Sequence, residues 1–366
     1  MARTFGRYVG MPADPTLRSP RRCRPLRHEQ DERPWFITTR TIEERFWLHP
    51  LLTMGLKPVG RRARRACARL EARCDKRFVK LARQANARKR PMEPDLSAAD
   101  VKRLARGLVG AALARAQEKY GAEIYAAVCM SNHVHLAVRT TKRNLSAFMG
   151  YFKARVADAV HQITGRRGPL WARRFDAQPI LNEEALMDRV AYTLDNPGKA
   201  NLVSDSRDWP GLNVAYGLDE ADAFGFEYFD RTAWHRAKRP EDRERFWRTV
   251  TLRLSPFPCE WAASREQLGA ALRSALDNAA HARRKGGMSP LGLERVVQTE
   301  FEARPKAPSF RRRPYAFGTA RERRAFRSSM SDVSRLHAEA SVRFRGGDRS
   351  AMFPSGTYPP PLPLAV

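Results

Sequence analysis

Hydrophobic and polar positions between residues 33 and 216 follow two periods, one typical of strands and one typical of helices. In chain order they predict a strand at 34–40, a helix at 98–120, strands at 122–130 and 133–139, a helix at 145–164, a strand at 175–181 and a helix at 183–196. Ser97 and Gly121 are residue types that begin and end helices. The order βαββαβ with one further helix predicts an α+β fold, a ferredoxin-like core with an antiparallel sheet.

The pattern changes after residue 216 and becomes mostly helical. A capping box that begins at Ser264 predicts a helix that runs to Gly286. A second helix is predicted from Ser289 to about Glu300, so the two could form a helix-turn-helix reader of duplex or hairpin DNA, or could be ordinary packing helices. We expect a disordered basic leader at 1–32, a core domain at 33–216, a helical accessory region at 217–345 and a disordered tail at 346–366.

His133 and His135 lie on the second strand of the predicted hairpin, separated only by Val134. Alternate residues of a strand share a face, so both imidazoles should project from the face opposite to Val134. Two imidazoles on one face can hold a metal ion, although two of eight histidines can also fall on one strand by chance. The motif alone leaves both interpretations open.

A tyrosine and an asparagine follow at helical spacing in the last helix predicted before residue 216. This helix begins with Asn182 as its cap and an acidic first turn, and it should stop before Pro197. Tyr192 and Asn196 are four residues apart and should share one helix face. They could meet an ion held by the two histidines, or Tyr192 could be a half-buried core residue and Asn196 a helix-end residue.

Basic residues outnumber acidic ones by 68 to 39, which gives the chain a formal charge of +29. The excess is concentrated between residues 61 and 90, where thirteen basic residues accompany two acidic ones. Such a segment attracts polyphosphate in a salt-dependent manner, which makes DNA the expected partner, although a solvated helix face could have the same composition. The candidate DNA-binding residues are Arg61, Arg62, Arg64 and Arg65 from this segment, with Lys153, Arg173, Arg174 and Lys199 closer in sequence to the histidines and Tyr192.

The spacing of the cysteines and the lack of long apolar runs indicate the cellular compartment of the protein. The five cysteines include no C-x-x-C pair, which argues against a disulfide framework and a thiolate zinc site. The leader lacks the apolar stretch of a signal peptide, and no run approaches the roughly 18 apolar residues of a membrane span. There is no GxxxxGK[ST] motif and no GxGxxG motif after a strand. We therefore expect a cytoplasmic protein with no membrane partner and no nucleotide cofactor.

Three segments together resemble the REP-associated tyrosine transposases, which belong to the HUH superfamily of single-tyrosine, single-strand DNA endonucleases. The segments are Met130–Leu136, Gly168–Phe175 and Tyr192–Val203, and the resemblance covers roughly residues 33 to 216. It implies that His133 and His135 are metal ligands, that Tyr192 attacks a DNA phosphate as the nucleophile, and that Asn196 is a third ligand. It also implies that residues 33–216 are a catalytic domain.

The chain departs from the pattern of that family at four positions. Ser131 stands where proline is usual, Ala172 where glutamine is common, and Gly198 and Asn201 where valine and glycine are usual. None of these departures removes a group that the chemistry needs.

The expected function is transposase-type cutting and joining of single-stranded or hairpin DNA through a covalent phosphotyrosine, by a monomer or a homodimer. A cation on a non-bridging phosphate oxygen withdraws charge and orients the phosphodiester for in-line attack. Two imidazoles and an amide oxygen suit Mg²⁺ or Mn²⁺, and Zn²⁺ would also bind the imidazoles. Two alternatives are a catalytically silent DNA-binding protein and an RNA-binding protein in which Trp35, Tyr125 and Phe152 stack on bases.

Overall fold

The computed structural model describes residues 26–29, 33–50, 79–80, 82–83, 97–215, 223–257, 265–303 and 315–360. In these ranges the strands are β1 (Pro34–Arg40), β2 (Ala122–Met130), β3 (His133–Thr140), β4 (Asp176–Pro179), β5 (Ala223–Phe229) and β6 (Trp247–Arg253). The helices are α1 (Ala98–Tyr120), α2 (Leu145–Thr164), α3 (Glu183–Leu194), α4 (Asn196–Lys199), α5 (Arg231–Arg236), α6 (Arg265–Lys285), α7 (Leu293–Gln298) and α8 (Ala320–Arg345). Short 3-10 turns occupy Ile42–Glu44, Ser206–Asp208 and Glu244–Phe246.

The first four strands form one antiparallel sheet in the order β2-β3-β1-β4. The register pairs Thr38 of β1 with His135 of β3, and Arg40 with His133. This is the strand order of a split βαβ unit with the hairpin strand β3 between β1 and β2. The predicted α+β fold with a ferredoxin-like sheet is therefore confirmed.

The helices next to this sheet begin and end where the sequence predicts. Ser97 accepts a hydrogen bond from the Asp100 amide while the Asp100 carboxylate accepts one from the Ser97 amide, which closes a capping box at the start of α1. Gly121 and Gly165 end α1 and α2 in the left-handed region at φ 63°. The helix α3 packs on β2 and β3, and α1 and α2 pack against each other.

The region after residue 216 is mostly helical, as predicted, but it also contains the unpredicted hairpin β5–β6. This hairpin packs along α1. Phe226 and Val250 point into the core, whereas Glu227, which follows Phe226 in β5, is exposed. The backbones approach so closely that a Cβ at Gly107 of α1 would lie 2.3 Å from the carbonyl oxygen of Glu227.

Gly107→Ala is expected to destabilise the fold by about 1–3 kcal/mol, because the new methyl group would push β5 away from α1. Gly150 of α2 is the matched control, since a Cβ there meets nothing within 4 Å. Gly150→Ala should be neutral or stabilising by up to about 1 kcal/mol, because alanine favours the helix. Chemical denaturation of both variants measures the difference, and equal stability of the two would contradict the close packing of α1 on β5.

The helices α6 and α7 are packing helices, which favours that interpretation over a helix-turn-helix. Leu272 and Leu276 of α6 belong to the main hydrophobic core. In α7, which has only six residues, Val296 packs in a cluster with Met130 and Trp209, and Val297 joins the main core. The apolar face of α7 is thus directed at the protein interior.

The compact units of the chain do not follow the predicted domain limits. Residues 29–329 form one unit, so no division falls near residue 216. Glu29, expected in a disordered leader, is buried and accepts hydrogen bonds from the Ser146 amide and hydroxyl at the start of α2. Most of the leader lies outside the described residues.

The second unit comprises residues 1–28 and 330–366. Its chain end, expected to be disordered, folds back on α8 as far as it is described. The Phe353 ring packs against His337 and Phe344, and His337 Nε2 lies 2.9 Å from the Tyr358 carbonyl oxygen. Aromatic contacts thus pack this proline-rich segment against α8. In the described ranges, none of the helices is both long and apolar enough to cross a membrane.

Candidate functional site

The two histidines project from one face of β3, as the alternation predicts. Their ring centroids are 4.8 Å apart, with an angle of 78° between the ring planes. His135 is buried and His133 is half-buried, while Val134 between them is fully buried on the other face. The pair therefore lies at the end of the sheet with one ring partly open to solvent.

Hydrogen bonds fix the orientation of both imidazoles. Thr38 Oγ1 lies 3.0 Å from His135 Nδ1, and Asn132 Oδ1 lies 2.6 Å from His133 Nδ1. The Asn132 amide donates to the carbonyl oxygen of Glu44 at 3.1 Å, so its oxygen is the atom turned to His133. His133 Nδ1 must then carry the proton, which makes Nε2 the nitrogen that would bind a cation.

These contacts fit a divalent cation. Ligand histidines are commonly held through the second ring nitrogen in this way. Among the described residues there is no group of three His, Cys, Asp or Glu side chains that could hold a metal ion. The two histidines would therefore need amide, phosphate or water oxygens to complete a coordination shell, and such a mixed set suits Mg²⁺ or Mn²⁺.

Tyr192 lies beside the histidines. Its ring centroid is 5.9 Å from that of His135 and 5.7 Å from that of Phe36, which itself stacks on His135 at 5.1 Å. Tyr192 is half-buried. The structure thus brings together three of the four residues that the sequence singles out, on one face of the sheet.

Asn196 follows Tyr192 in a separate helical turn, which corrects the prediction of one continuous helix. The helix α3 ends at Leu194, Asp195 forms the junction, and α4 begins at Asn196 and passes through Pro197. Proline has no amide hydrogen and is tolerated in the first turn of a helix, so the chain restarts there instead of stopping. Asn196 is buried.

Two cations flank the Tyr192 ring. Lys199 Nζ lies 4.3 Å from the ring centroid, and the guanidinium carbon of Arg189 lies 4.8 Å from it. The sequence analysis named Lys199 but missed Arg189. The signal for it was its position one helical turn before the tyrosine, where i and i+3 side chains are neighbours.

Two of the other candidate DNA-binding residues lie on the loop before β4, which borders the histidine end of β1 because the Ala172 amide donates a hydrogen bond to the Arg40 carbonyl oxygen at 3.0 Å. Lys153 donates a hydrogen bond to the carbonyl oxygen of Arg173 at 2.8 Å, and the Arg173 guanidinium lies 3.7 Å from the Asp176 carboxylate. Arg174 is exposed on the same loop before β4. Arg61, Arg62, Arg64 and Arg65 lie outside the described residues.

Comparison with known families gives this geometry a context. Residues 102–189 match the model of the family described as IS200-like transposases. This segment is therefore similar to the IS200-like transposases. The matched segment contains both histidines and ends three residues before Tyr192. This match supports the similarity to transposases that the motifs indicate.

Other comparisons add little. A solved structure of a REP-associated tyrosine transposase bound to a REP hairpin aligns with 53% of this chain and 80% of its own, at 17% identity and a TM-score of 0.29. No curated protein matches the chain. The family assignment rests on the segment match.

The junction between α3 and α4 is held by an arginine of α6. Arg283 donates two hydrogen bonds to the Asp195 carboxylate, at 2.6 and 2.9 Å. Ser206 Oγ donates to the same carboxylate at 2.8 Å and accepts from the Gly198 amide at 3.0 Å. Both members of the ion pair are about 15% exposed, so the pair is largely shielded from water.

Local structure accounts for two departures from the family pattern. A Cβ at Gly198 would lie 2.4 Å from Arg283 Nη2, so the valine that is usual there would displace the guanidinium. Asn201, where glycine is usual, has a φ of 55°, and asparagine is among the few other residues that adopt the left-handed region at low cost. Neither departure affects the histidines or Tyr192.

Arg283→Met is expected to destabilise the protein by about 3–5 kcal/mol, because it leaves the Asp195 carboxylate buried without its cation. Asp277→Ala is the matched control on the same helix, since the Asp277 carboxylate pairs with Arg207 but is 60% exposed. That control should cost less than about 1 kcal/mol. Urea denaturation of both variants is the measurement, and a loss for Arg283→Met no larger than that of the control would show that the ion pair with Asp195 is not a stabilising feature.

Proposed function

We propose that this protein cuts and rejoins single-stranded or hairpin DNA by attack of Tyr192 on a phosphodiester. The observation that carries the proposal is the contact between the Tyr192 and His135 rings, beside His133, in a chain with a segment similar to transposases. A tyrosine half-open to solvent next to two oriented imidazoles has the geometry that such an attack needs.

The reaction exchanges one phosphorus–oxygen bond for another. Tyr192 Oη forms a bond to phosphorus as the bond to one sugar oxygen breaks. The phenol gives its proton to solvent, and the departing sugar oxygen takes one up, so protons balance. The phosphotyrosine keeps the energy of the diester, and rejoining to another DNA end by the reverse reaction needs no nucleotide cofactor.

His133, His135 and Asn196 would hold the divalent cation, Mg²⁺ or Mn²⁺. When bound, the cation supplies charge withdrawal from a non-bridging phosphate oxygen. Thr38 and Asn132 keep the two imidazoles turned towards that position through their Nδ1 contacts. The cationic side chains of Lys199, Lys153, Arg173 and Arg174 and the segment containing Arg61, Arg62, Arg64 and Arg65 would bind the DNA backbone, as the net charge of +29 favours.

The structure removes the RNA-binding alternative in the form given above. Trp35, Tyr125 and Phe152 are all at most 3% exposed, so their rings belong to the core and have no face on which a base could stack.

The test is a covalent adduct. Purified protein with Mn²⁺ and a labelled single-stranded hairpin oligonucleotide should give a protein–DNA species that resists denaturant. Tyr192→Phe should abolish it while binding of the oligonucleotide persists, because only the hydroxyl is removed. Tyr151→Phe is the control, as the Tyr151 ring packs against Tyr120 on another part of the fold.

Two results would change the assignment. An undiminished adduct in the Tyr192→Phe variant would move the nucleophile to another tyrosine, with Tyr216 next in line. Binding without any adduct in the unmodified protein, across Mg²⁺ and Mn²⁺, would favour the catalytically silent DNA-binding protein.

A further inference from the structure

Arg189 occupies an unusual position among aromatic rings. Its guanidinium carbon lies 4.3 Å from the ring centroid of Phe317, 4.8 Å from that of Tyr192 and 5.9 Å from that of Phe36. The side chain is partly buried, and this burial lowers the pKa of the guanidinium. Aromatic faces attract a cation, but they offer weak hydrogen-bond acceptors.

Arg189 forms no ion pair in the described part of the chain, and the charge of the neighbouring Asp188 only partly offsets the lowering of the guanidinium pKa by burial. Arg189 Nε is buried and has no hydrogen-bond partner there, and no acidic side chain of those residues lies within ion-pair distance of the guanidinium. Arg283, Arg207 and Arg103, in contrast, each donate to one or two carboxylates. A shielded guanidinium with unused donors is unfavourable unless an anion joins it.

The position of Tyr192 beside Arg189 indicates that this anion is a DNA phosphate. Any phosphodiester close enough for attack by the Tyr192 hydroxyl must approach the ring that Arg189 contacts. Lys199 contacts the same ring, so two cations lie next to the tyrosine that would attack the phosphate. The planar guanidinium can donate two parallel hydrogen bonds to a phosphate, whereas the lysine ammonium acts as a point charge.

We propose that Arg189 binds the phosphate that Tyr192 attacks and stabilises the charge that develops on its non-bridging oxygens. The inference rests on the proposed function and adds a catalytic residue to it. Removing one such donor typically lowers turnover by about 10²–10³-fold, so Arg189→Met should slow adduct formation by at least about 100-fold. The rate of adduct formation by Arg189→Lys should lie between the rates of Arg189→Met and the unmodified protein, because lysine keeps the positive charge but cannot donate two parallel hydrogen bonds.

A binding measurement separates phosphate contact from a structural role. The cleaved phosphate is first located with the unmodified protein and is then replaced by a neutral methylphosphonate in the hairpin oligonucleotide. In a Tyr192→Phe background, which cannot cleave, the replacement should weaken binding at least about tenfold, the effect of a single good charge-assisted contact. In the Tyr192→Phe, Arg189→Met double variant the methylphosphonate should change binding little, because the guanidinium that would contact the charged phosphate has been removed.

Arg115→Met is the matched control, since the Arg115 guanidinium also lies over tyrosine rings, at 4.0 Å from Tyr228 and 5.9 Å from Tyr151, away from Tyr192. It should leave both the adduct rate and the methylphosphonate effect unchanged. Normal thermal unfolding of Arg189→Met would confirm that the protein is folded.

Three outcomes are possible. An equal methylphosphonate effect with and without Arg189 would overturn this inference and assign the residue to packing. Normal adduct formation by Arg189→Met would do the same while leaving Tyr192 as the nucleophile. Failure of the unmodified protein to form any adduct would overturn the proposed function and this inference together.

Discussion

His133→Ala and His135→Ala are each expected to lower adduct formation by about 10²–10⁴-fold, and a chelator should reproduce the loss in the unmodified protein. Each substitution removes one of two imidazoles that would hold the cation, and a cation on the phosphate contributes several kcal/mol to such a reaction. About 1.4 kcal/mol corresponds to a factor of ten in rate. The measurement is the rate of covalent adduct formation with Mn²⁺ and the hairpin oligonucleotide.

Thr38→Val adds a graded comparison. Valine is nearly isosteric with threonine but cannot hydrogen-bond to His135 Nδ1, so the imidazole keeps its place and loses its orienting partner. Loss of such a partner typically costs about 10–100-fold in metal affinity or activity, which is less than loss of the ligand itself. His281 on the exposed surface of α6 is the control histidine, and His281→Ala should leave the rate unchanged. Cleavage that proceeds unaltered in excess chelator would remove the metal from the mechanism.

The elements that the sequence predicts well are those specified by near neighbours. The helix α1 begins at Ser97 and ends at Gly121 because both signals act within one turn of the chain. His133 and His135 share a face because alternation is a property of any strand. The position of these histidines beside Tyr192 needed the family resemblance, since no local rule brings β3 and α3 together.

The features that the sequence did not predict depend on residues far apart in the chain. Arg283 reaches Asp195 across 88 positions, and no spacing rule links them. The hairpin β5–β6 alternates apolar and polar residues, yet its place along α1 depends on Gly107 having no side chain. In the sequence, nothing distinguishes Arg189 from the many surface charges expected of a basic chain. Only the rings of Phe317 and Phe36, from distant segments, show that its guanidinium is shielded.

Removing residues 217–366 is expected to unfold the protein, although all the residues proposed to act on DNA would remain. The family resemblance implied that residues 33–216 are a complete catalytic domain. In the structure, however, the deleted part supplies nine residues of the main core, which include the six large apolar residues Phe226, Val250, Leu252, Leu268, Leu272 and Leu276. It also supplies Arg283, whose loss leaves Asp195 buried without its cation.

The free energy of burial that the fragment loses is too large for it to remain folded. Burial of one large apolar side chain contributes about 1.5–3 kcal/mol, so six of them together match or exceed the roughly 5–15 kcal/mol by which a typical domain is stable. The fragment would also expose the apolar side of α1 that β5 and β6 cover, and such a patch promotes aggregation. We therefore expect no cooperative thermal transition and no covalent adduct.

A second shortened chain provides the control. Removal of residues 346–366 keeps every residue of the compact unit 29–329 and removes only the segment that folds back on α8. It should retain a cooperative transition by circular dichroism and a normal adduct rate. A fragment ending at residue 216 that unfolded cooperatively and formed the adduct would show that α6 and the β5–β6 hairpin are dispensable. Residues 33–216 would then fold without the rest of the chain, and the core contacts of Leu272 and Leu276 would not be needed for folding.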